Sequence, residues 1–209
     1  MTDESTPSPF VSRAGAKLDH AIDAFGLDVR GLVCADFGAN VGGFTDCLLR
    51  RGAACVHAVD TGYGTLAYKL RMDDRVVVHE RTNALHADPP ADGVDLITID
   101  MGWTRQRHAL PAAGRWLRAN GRVISLVKPH YELEPDERRT SLVQGRLDPE
   151  YAERILDRVI ESLPELGWRC LTQTRSPLTG GKSGRRGRGN VEFLVLVAPK
   201  TTRTPVNRP

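Results

Sequence analysis

The sequence predicts an α/β fold, a doubly wound, mostly parallel sheet of seven strands with one antiparallel strand near the C-terminus. Three observations carry this. Apolar strand-like runs alternate with helical patterns along the chain. The runs at 56–60 (VHAVD), 95–100 (DLITID) and 123–128 (VISLVK) suit strands buried on both faces. The last two strand-like runs are joined only by residues 175–190, which show no helical pattern, so those two strands should pair antiparallel.

The elements follow in order. Ser12 suits the N-cap of a helix through Phe25: Leu18, Ile22 and Phe25 fall at helical spacing and Gly26 can end it. Residues 32–37 form the first strand, 43–51 a helix, 54–60 the second strand and 66–71 a short helix. Residues 75–79 and 94–100 are the third and fourth strands. Residues 106–120 read as helix despite Pro111, and 122–128 as the fifth strand. Asp148 can cap a strongly amphipathic helix over 148–163, with Pro149 in its first turn and Ile155, Val159 and Leu163 on one face. Residues 168–174 and 191–198 are the last two strands, so the doubly wound sheet ends in an antiparallel strand.

The chain of 209 residues has the size of one domain. Residues 1–10 are polar, carry Pro7 and Pro9, and read as a disordered leader. Residues 11–199 show no linker or internal repeat, and 200–209 read as a disordered tail. Hydrophobic residues at 40% and charged residues at 26% exclude wholesale disorder. No apolar run approaches the ~18–20 residues of a membrane span. The first residues lack the apolar centre of a signal peptide. Cys34, Cys47, Cys55 and Cys170 form no CxxC pair, which argues against a zinc knuckle or a disulfide scaffold and fits a reduced cytoplasm. No metal site is expected.

The net charge of +3, from 29 basic and 26 acidic residues, compels no nucleic-acid partner. Its distribution says more. Residues 175–188 hold Arg175, Lys182, Arg185, Arg186 and Arg188 and no acid, the footprint of an RNA- or DNA-binding loop.

The first strand runs into Asp36-Phe37-Gly38-Ala39-Asn40-Val41-Gly42-Gly43-Phe44-Thr45. Glycine lets the backbone turn and approach a ligand, and the following helix points free N–H groups at the same place. The next strand ends in Asp60, placed to accept hydrogen bonds from a ribose diol. The order Asp-x-Gly-x-x-x-Gly-Gly is not the dinucleotide fingerprint. An acid at position 36 would repel a pyrophosphate and hold an ammonium, which favours S-adenosylmethionine. Gly181-Lys182-Ser183 lacks the glycine a phosphate loop requires five residues ahead of its own.

Six stretches, in this order, carry a family resemblance: Ser12 to Leu18 (SRAGAKL), Asp36 to Ala53 (DxGxxxGGFTDCLLRRGA), Ala58 to Gly64 (AVDTGYG), Arg81 to Ala84 (RTNA), Val127 to Pro129 (VKP) and Gly189 to Phe193 (GNVEF). Over residues 11–198 the chain resembles the FtsJ-like S-adenosylmethionine methyltransferases, in particular the TlyA or hemolysin-A-like branch that methylates ribose 2′-oxygens of ribosomal RNA. The resemblance implies the Rossmann-like sheet of class I methyltransferases and a Lys–Asp–Lys–Glu tetrad. By motif the tetrad falls on Lys17, Asp100, Lys128 and Glu192. The predicted strands agree. Asp100 and Lys128 end the fourth and fifth strands at the carboxyl edge, where open α/β sheets bind ligands. Glu192 opens the antiparallel strand at that same edge, and Lys17 must reach it from the first helix.

Methyl transfer from a sulfonium is an in-line displacement that needs alignment and a competent nucleophile. Lys128, with Lys17 as a second cation, either takes the hydroxyl proton or stays charged and steers the oxygen lone pair. Asp100 would orient Lys128 and the sulfonium end, and Glu192 would position Lys17 or the ribose. Gly38, Asn40, Gly42, Gly43 and Phe44 would line the methionine end with Asp36, Asp60 the ribose and Asn83 the adenine edge. Tyr63 is a further stacking candidate. Lys182, Arg185, Arg186 and Arg188 would grip RNA phosphates, with Arg50-Arg51 and Arg138-Arg139 as further candidates.

The chain departs from the branch pattern in places. Only about ten residues precede the match, so the branch's S4-like RNA-binding domain is not expected. Met101-Gly102-Trp103 stands where the branch has Val-Ser-Phe, and His130-Tyr131-Glu132 where it has Gln-Phe-Glu. The loop before Glu192 is longer and more basic. Two rival classes remain at this level: a small-molecule methyltransferase and a non-catalytic binding module that retains the fold.

Overall fold

The computed structural model describes residues 8–180 and 189–200. Lys182, Arg185, Arg186 and Arg188, most of the expected leader and the tail from 201 lie outside the described residues. One mixed sheet of seven strands has the order β3-β2-β1-β4-β5-β9-β8. The strands are β1 (Val33–Phe37), β2 (Cys55–Val59), β3 (Val76–His79), β4 (Val94–Ile99), β5 (Leu117–Val127), β8 (Trp168–Arg175) and β9 (Phe193–Pro199). β1 to β5 pair parallel, while β9 is antiparallel to both β5 and β8. The antiparallel strand therefore sits inside the sheet, and β8, expected next to last, forms its edge.

The two-residue period of the strands splits the core into two layers. Leu194 and Leu196 of β9 join Cys34, Val56 and Leu96 under helices α1 (Ala14–Ala24), α2 (Gly43–Arg50) and α3 (Tyr68–Arg71). Phe193, Val195 and Val197 point the other way. They pack with Ala35, Phe37 and Ile97 under α4 (Gln106–Trp116) and α7 (Pro149–Ser162). Among the described residues no helix is long and apolar enough to cross a membrane.

Local chemistry sets the helix ends. Asp148 caps α7 as expected: its Oδ1 accepts from the N–H groups of Glu150 and Tyr151, both at 3.0 Å. Ser12 does not cap α1. That helix begins one residue later than the expected first turn, behind Arg13, with no side-chain cap, and the Ser12 carbonyl accepts from Gly15 N–H at 3.1 Å. α4 ends at Trp116 rather than Asn120. Arg118 holds both Asp95 carboxylate oxygens, at 3.0 and 2.9 Å, and draws residues 117–120 onto the start of β4. Asn120, at φ +67°, then turns the chain into the rest of β5. Between β5 and α7 lie elements the periodicity did not reveal: α5 (Pro129–Glu132), α6 (Pro135–Ser141) and a hairpin of β6 (Leu142–Val143) with β7 (Arg146–Leu147).

Candidate active site

The sheet register brings the site together. Val127 pairs with Phe193 across the antiparallel β5–β9 ladder, so the next rung sets Lys128 beside Glu192. Phe37 pairs with Ile99, and Asp100 N–H donates to the Phe37 carbonyl at 2.9 Å, so Asp100 meets the loop after β1. α1 crosses α2 and reaches the sheet with its buried residues Lys17, Leu18 and Ala21 on one face.

The result is two ion pairs. Lys17 Nζ pairs with Glu192 Oε2, with side chains only 10% and 3% exposed. Lys128 Nζ lies 2.5 Å from Asp100 Oδ1. Burial by itself would push the Lys128 ammonium down. The charge and hydrogen bond of Asp100, with Glu192 adding to them, outweigh burial and hold Lys128 above the ordinary lysine range. The Lys128 ammonium also lies 5.5 Å from the centre of the Tyr131 ring.

Beside the Lys128–Asp100 pair, whose Asp100 lines it, is a cavity of about 290 Å³. It sits at the carboxyl edge where β1 and β4 are neighbours and the strand order reverses. Gly38, Asn40, Asp60 and Asp100, all expected in a cofactor site, line it together with Thr61, Thr82, Met101, Gly102 and Thr104. Gly38 stands at φ +86°, and a Cβ there would come within 2.7 Å of the Asp100 carbonyl, so only glycine lets the wall form. Asp60 is fixed at the rim: its Oδ2 accepts from Asn40 N–H at 2.8 Å and its Oδ1 from Gly62 N–H at 2.7 Å. Among the described residues the lining holds two carboxylates and no Lys or Arg. Such a donor set fits a nucleoside that carries positive charge and disfavours a pyrophosphate.

Other expected contact residues carry structural roles. Asp36 has no exposed surface and cannot touch a ligand. Its Oδ2 accepts from Thr45 N–H at 2.9 Å and from the Thr45 hydroxyl at 2.8 Å, and its Oδ1 from the Thr98 hydroxyl at 3.1 Å. Burial pushes its carboxyl up to about 7 against those hydrogen bonds. Gly42 caps α2 at φ +98°. A Cβ on Gly43 would run into Ser12 and Gly15, so this glycine serves the α1–α2 crossing. Phe44 is a core residue at 2% exposure. Asn83 is exposed and turns the chain, its Oδ1 accepting from Leu85 N–H at 3.0 Å. Tyr63 is 70% exposed, with the Arg81 guanidinium 4.2 Å over its ring. Arg51 ties α2 to α1 through Asp19 and Asp23, each at 2.6 Å, and Arg50 pairs with Asp46 at 3.0 Å. Arg175 pairs with Glu153 at 3.8 Å. Of the threonines in the lining, Thr61 and Thr82 stand in the Ala58 to Gly64 and Arg81 to Ala84 stretches, and Thr104 carried no sequence signal.

Fold and site together define a Rossmann-like enzyme with a cavity at the carboxyl edge of its sheet and two lysine–carboxylate pairs. The chain belongs to the FtsJ-like methyltransferase family, whose model matches residues 10–196. It is 40% identical over 196 residues to a protein of Mycobacterium tuberculosis H37Rv named 16S/23S rRNA (cytidine-2′-O)-methyltransferase TlyA, covering 93% of this chain and 70% of that one. It is 36% identical to Hemolysin A of Brachyspira hyodysenteriae, covering 89% of this chain and 75% of that one. Among solved structures it is similar to a protein of Streptococcus thermophilus described as a hemolysin, with TM-score 0.85 and 33% identity over 95% of this chain and 70% of that one. A similarly described Lactococcus lactis protein has TM-score 0.82 and 35% identity over 93% and 90%. The expected family and fold hold, and the chain is a methyltransferase.

Proposed function

We propose that this chain transfers the methyl group of S-adenosylmethionine to a ribose 2′-oxygen of ribosomal RNA. The observation that carries the reading is the pairing of Lys17 with Glu192 and of Lys128 with Asp100 beside a cavity that Asp100 also lines. A small acceptor would need no second buried lysine, and a pure binding module would need neither pair. The substrate named for the Mycobacterium relative supports RNA as the acceptor.

When bound, S-adenosylmethionine supplies an electrophilic methyl on a sulfonium. Asp60 would accept from its ribose hydroxyls and Asp100 would face its cationic end. Lys128 is held charged in the free protein, which favours the steering role over the base role. Its ammonium donates to the 2′-oxygen and aims the other lone pair along the displacement axis. The sulfonium methyl would pass to this oxygen as its C–S bond breaks, the hydroxyl proton would leave to solvent, and the chain's own part would be the alignment that Lys128 and Asp100 provide. Lys17, fixed by Glu192, bounds the far side of the hydroxyl. Alignment of this kind is worth ~7–11 kcal/mol of barrier. Lys182, Arg185, Arg186 and Arg188 are assigned to RNA phosphates on sequence grounds.

The test is transfer of labelled methyl from S-adenosylmethionine to ribosomal RNA and to intact subunits, with Lys128→Ala alongside. Label mapped to a ribose 2′-oxygen and lost in the variant is the expected result. Tight cofactor binding with no label on any RNA would defeat the reading.

A further inference from the structure

α4 begins without a cap of its own. Arg105 stands at its N-cap position with no side-chain hydrogen bond, and the first turn holds no acid. A helix start leaves backbone N–H groups that need acceptors. Here the acceptor comes from another element: Glu132 Oε1, at the end of α5, accepts from Gln106 N–H at 2.9 Å. The Gln106 side chain is buried, and its Oε1 accepts at 2.7 Å from the hydroxyl of Ser125, on β5 just ahead of Lys128. Arg105 donates to the Leu133 carbonyl at 2.6 Å and pairs with Glu134. These links fasten the start of α4 to β5 and to the segment that follows it.

The loop so fastened belongs to the site. It runs from Asp100, which holds Lys128, through Met101, Gly102 and Thr104, which line the cavity. The Lys128 ammonium reaches the Met101 carbonyl at 3.5 Å. The sheet and the ion pair fix the loop at Asp100, and Glu132 fixes its far end. Glu132 itself does not line the cavity and, among the described residues, forms no ion pair. The charges that act on it are Arg105 and Arg107, at the start of α4, and Arg158 on α7. Each of these is paired with another carboxylate, Arg105 and Arg107 with Glu134 and Arg158 with Glu137. Burial therefore dominates and pushes the Glu132 carboxyl up to about 6.

We infer that Glu132 is a positioning residue for methyl transfer, whose carboxylate holds the start of α4, and through it the loop 101–105, at the spacing that aligns the cavity with Lys128. The inference rests on the methyl-transfer reading of this site and deepens it. An ionised carboxylate is the stronger acceptor and suits the positive end of a helix. Protonation discharges it and slackens the link, so the reaction loses rate as pH falls through about 6. Stability moves the other way. The carboxyl is raised above its ordinary 4.5, so its contribution to stability is complete at acid pH and is lost as pH rises through about 6. Activity and stability therefore part company, as they do not for a residue that only supports the fold.

The experiment follows the full chain from pH 5 to pH 8 with two readouts. Without any ligand, the backbone amides of Gln106 and Gly102 are followed by NMR. Both should titrate with one midpoint near 6, and both should lose it in Glu132→Gln. Asp36, raised to about 7, is separated by finding the midpoint kept in Asp36→Asn. Labelled methyl transfer to ribosomal RNA is the second readout. Its kcat should fall about tenfold from pH 8 to pH 5 while the KM for RNA holds, and Glu132→Gln should flatten that part of the profile. Glu132→Ala should lose roughly ten- to a hundredfold in kcat at pH 8. Glu132→Gln keeps an oxygen for the Gln106 N–H and should restore most of that loss, which guards against misfolding as the cause. A Gly102 amide that ignores the Gln106 titration would overturn the inference, as would a native pH profile in Glu132→Gln. So would a Glu132→Ala variant that changes the KM for RNA and not kcat, or a rate that follows the melting midpoint across pH. Amides that titrate together with no label on any RNA leave the hold of Glu132 on the loop standing and remove only the RNA-methylation reading. Label without the shared titration removes only the positioning role.

Discussion

Removing one charge and then both from the Lys17–Glu192 pair separates what the pair does for stability from what it does for catalysis. Glu192→Met leaves the Lys17 ammonium, at 8% exposure, without its carboxylate. Breaking a buried pair on one side costs about 3–5 kcal/mol, because the remaining charge stays desolvated. In a chain of this length 1 kcal/mol moves the melting midpoint by about 2–4 °C, so the single variant should melt roughly 6–20 °C lower. Adding Lys17→Met removes the second charge and leaves apolar side chains of similar volume. Such replacements are neutral or stabilising. The double variant should therefore recover most of the loss, a coupling at or above the usual 0.5–3 kcal/mol for residues in contact, taken as an order of magnitude. Methyl transfer should fall about a hundredfold or more in both variants, because alignment of the acceptor is gone in both. The assays are urea and thermal unfolding followed by circular dichroism, with labelled methyl transfer at matched folded fraction. A double variant that melts as low as the single one, or that keeps native activity, would refute the assignment of this pair to catalysis at the expense of stability.

Gly38→Ala places a methyl 2.7 Å from the Asp100 carbonyl at φ +86°; it should abolish S-adenosylmethionine binding by calorimetry and destabilise by about 1–3 kcal/mol, and a native binding isotherm would contradict this. Asp36, with its carboxyl raised to about 7 from an ordinary 3.8, binds more protons folded than unfolded between those values. Its contribution is therefore largest at the acid end and is lost as pH rises towards 7, at up to about 1.4 kcal/mol per pH unit. Asp36→Asn should remove that slope, and parallel unfolding midpoints for the two proteins from pH 4 to 7 would count against it. Lys128 is raised above the ordinary lysine value of 10.5, so its stabilising contribution is complete below that value and disappears only at higher pH. With Asp100→Asn the charge that does most to oppose burial is gone and the ammonium should titrate lower than in the native chain, visible in a lysine-selective NMR titration.

The sheet was legible because its central strands are largely apolar runs and its longer helices show a helical period. The segment from Pro129 to Leu147 was not, because elements of four, seven, two and two residues are too short to show any period. One local signal was available there. Glu134 precedes Pro135 and is followed three residues on by Glu137, a capping-box spacing, and Glu134 N–H does donate to Glu137 Oε2 at 2.9 Å. Loop residues divided according to how local their chemistry is. Asn83 accepts from the N–H two residues on, and Gly42 donates to the Ala39 carbonyl three residues back; such turn and cap roles carry the same sequence signal as ligand contacts. Asp36 was misread for a related reason: an acid beside a glycine loop looks aimed at a ligand, yet the partners that bury it, Thr45 and Thr98, come from two other elements. The Lys17–Glu192 pair joins positions 175 residues apart, and no spacing rule reaches that far. Its members were identified through motif resemblance, which left Lys17 or the ribose as the partner of Glu192, and the fold pairs Glu192 with Lys17.

Asp100 explains why cofactor cavity and acceptor site cannot be tuned independently. Its backbone N–H is bound to Phe37, its carbonyl forms the wall against which Gly38 packs, and its carboxylate both lines the cavity and holds Lys128. A displacement of β4 relative to β1 would shift the cavity wall and the ammonium together. A cationic ligand in the cavity and the Lys128 ammonium compete for the same carboxylate, so cofactor binding should weaken the hold of Asp100 on Lys128 while burial of the lysine persists. The ammonium is then more acidic and freer to turn towards a hydroxyl. That coupling predicts an order: binding S-adenosylmethionine should lower the Lys128 titration midpoint in the native chain, and the shift should vanish in Asp100→Asn. A midpoint unmoved by saturating cofactor would show that the carboxylate serves the lysine alone.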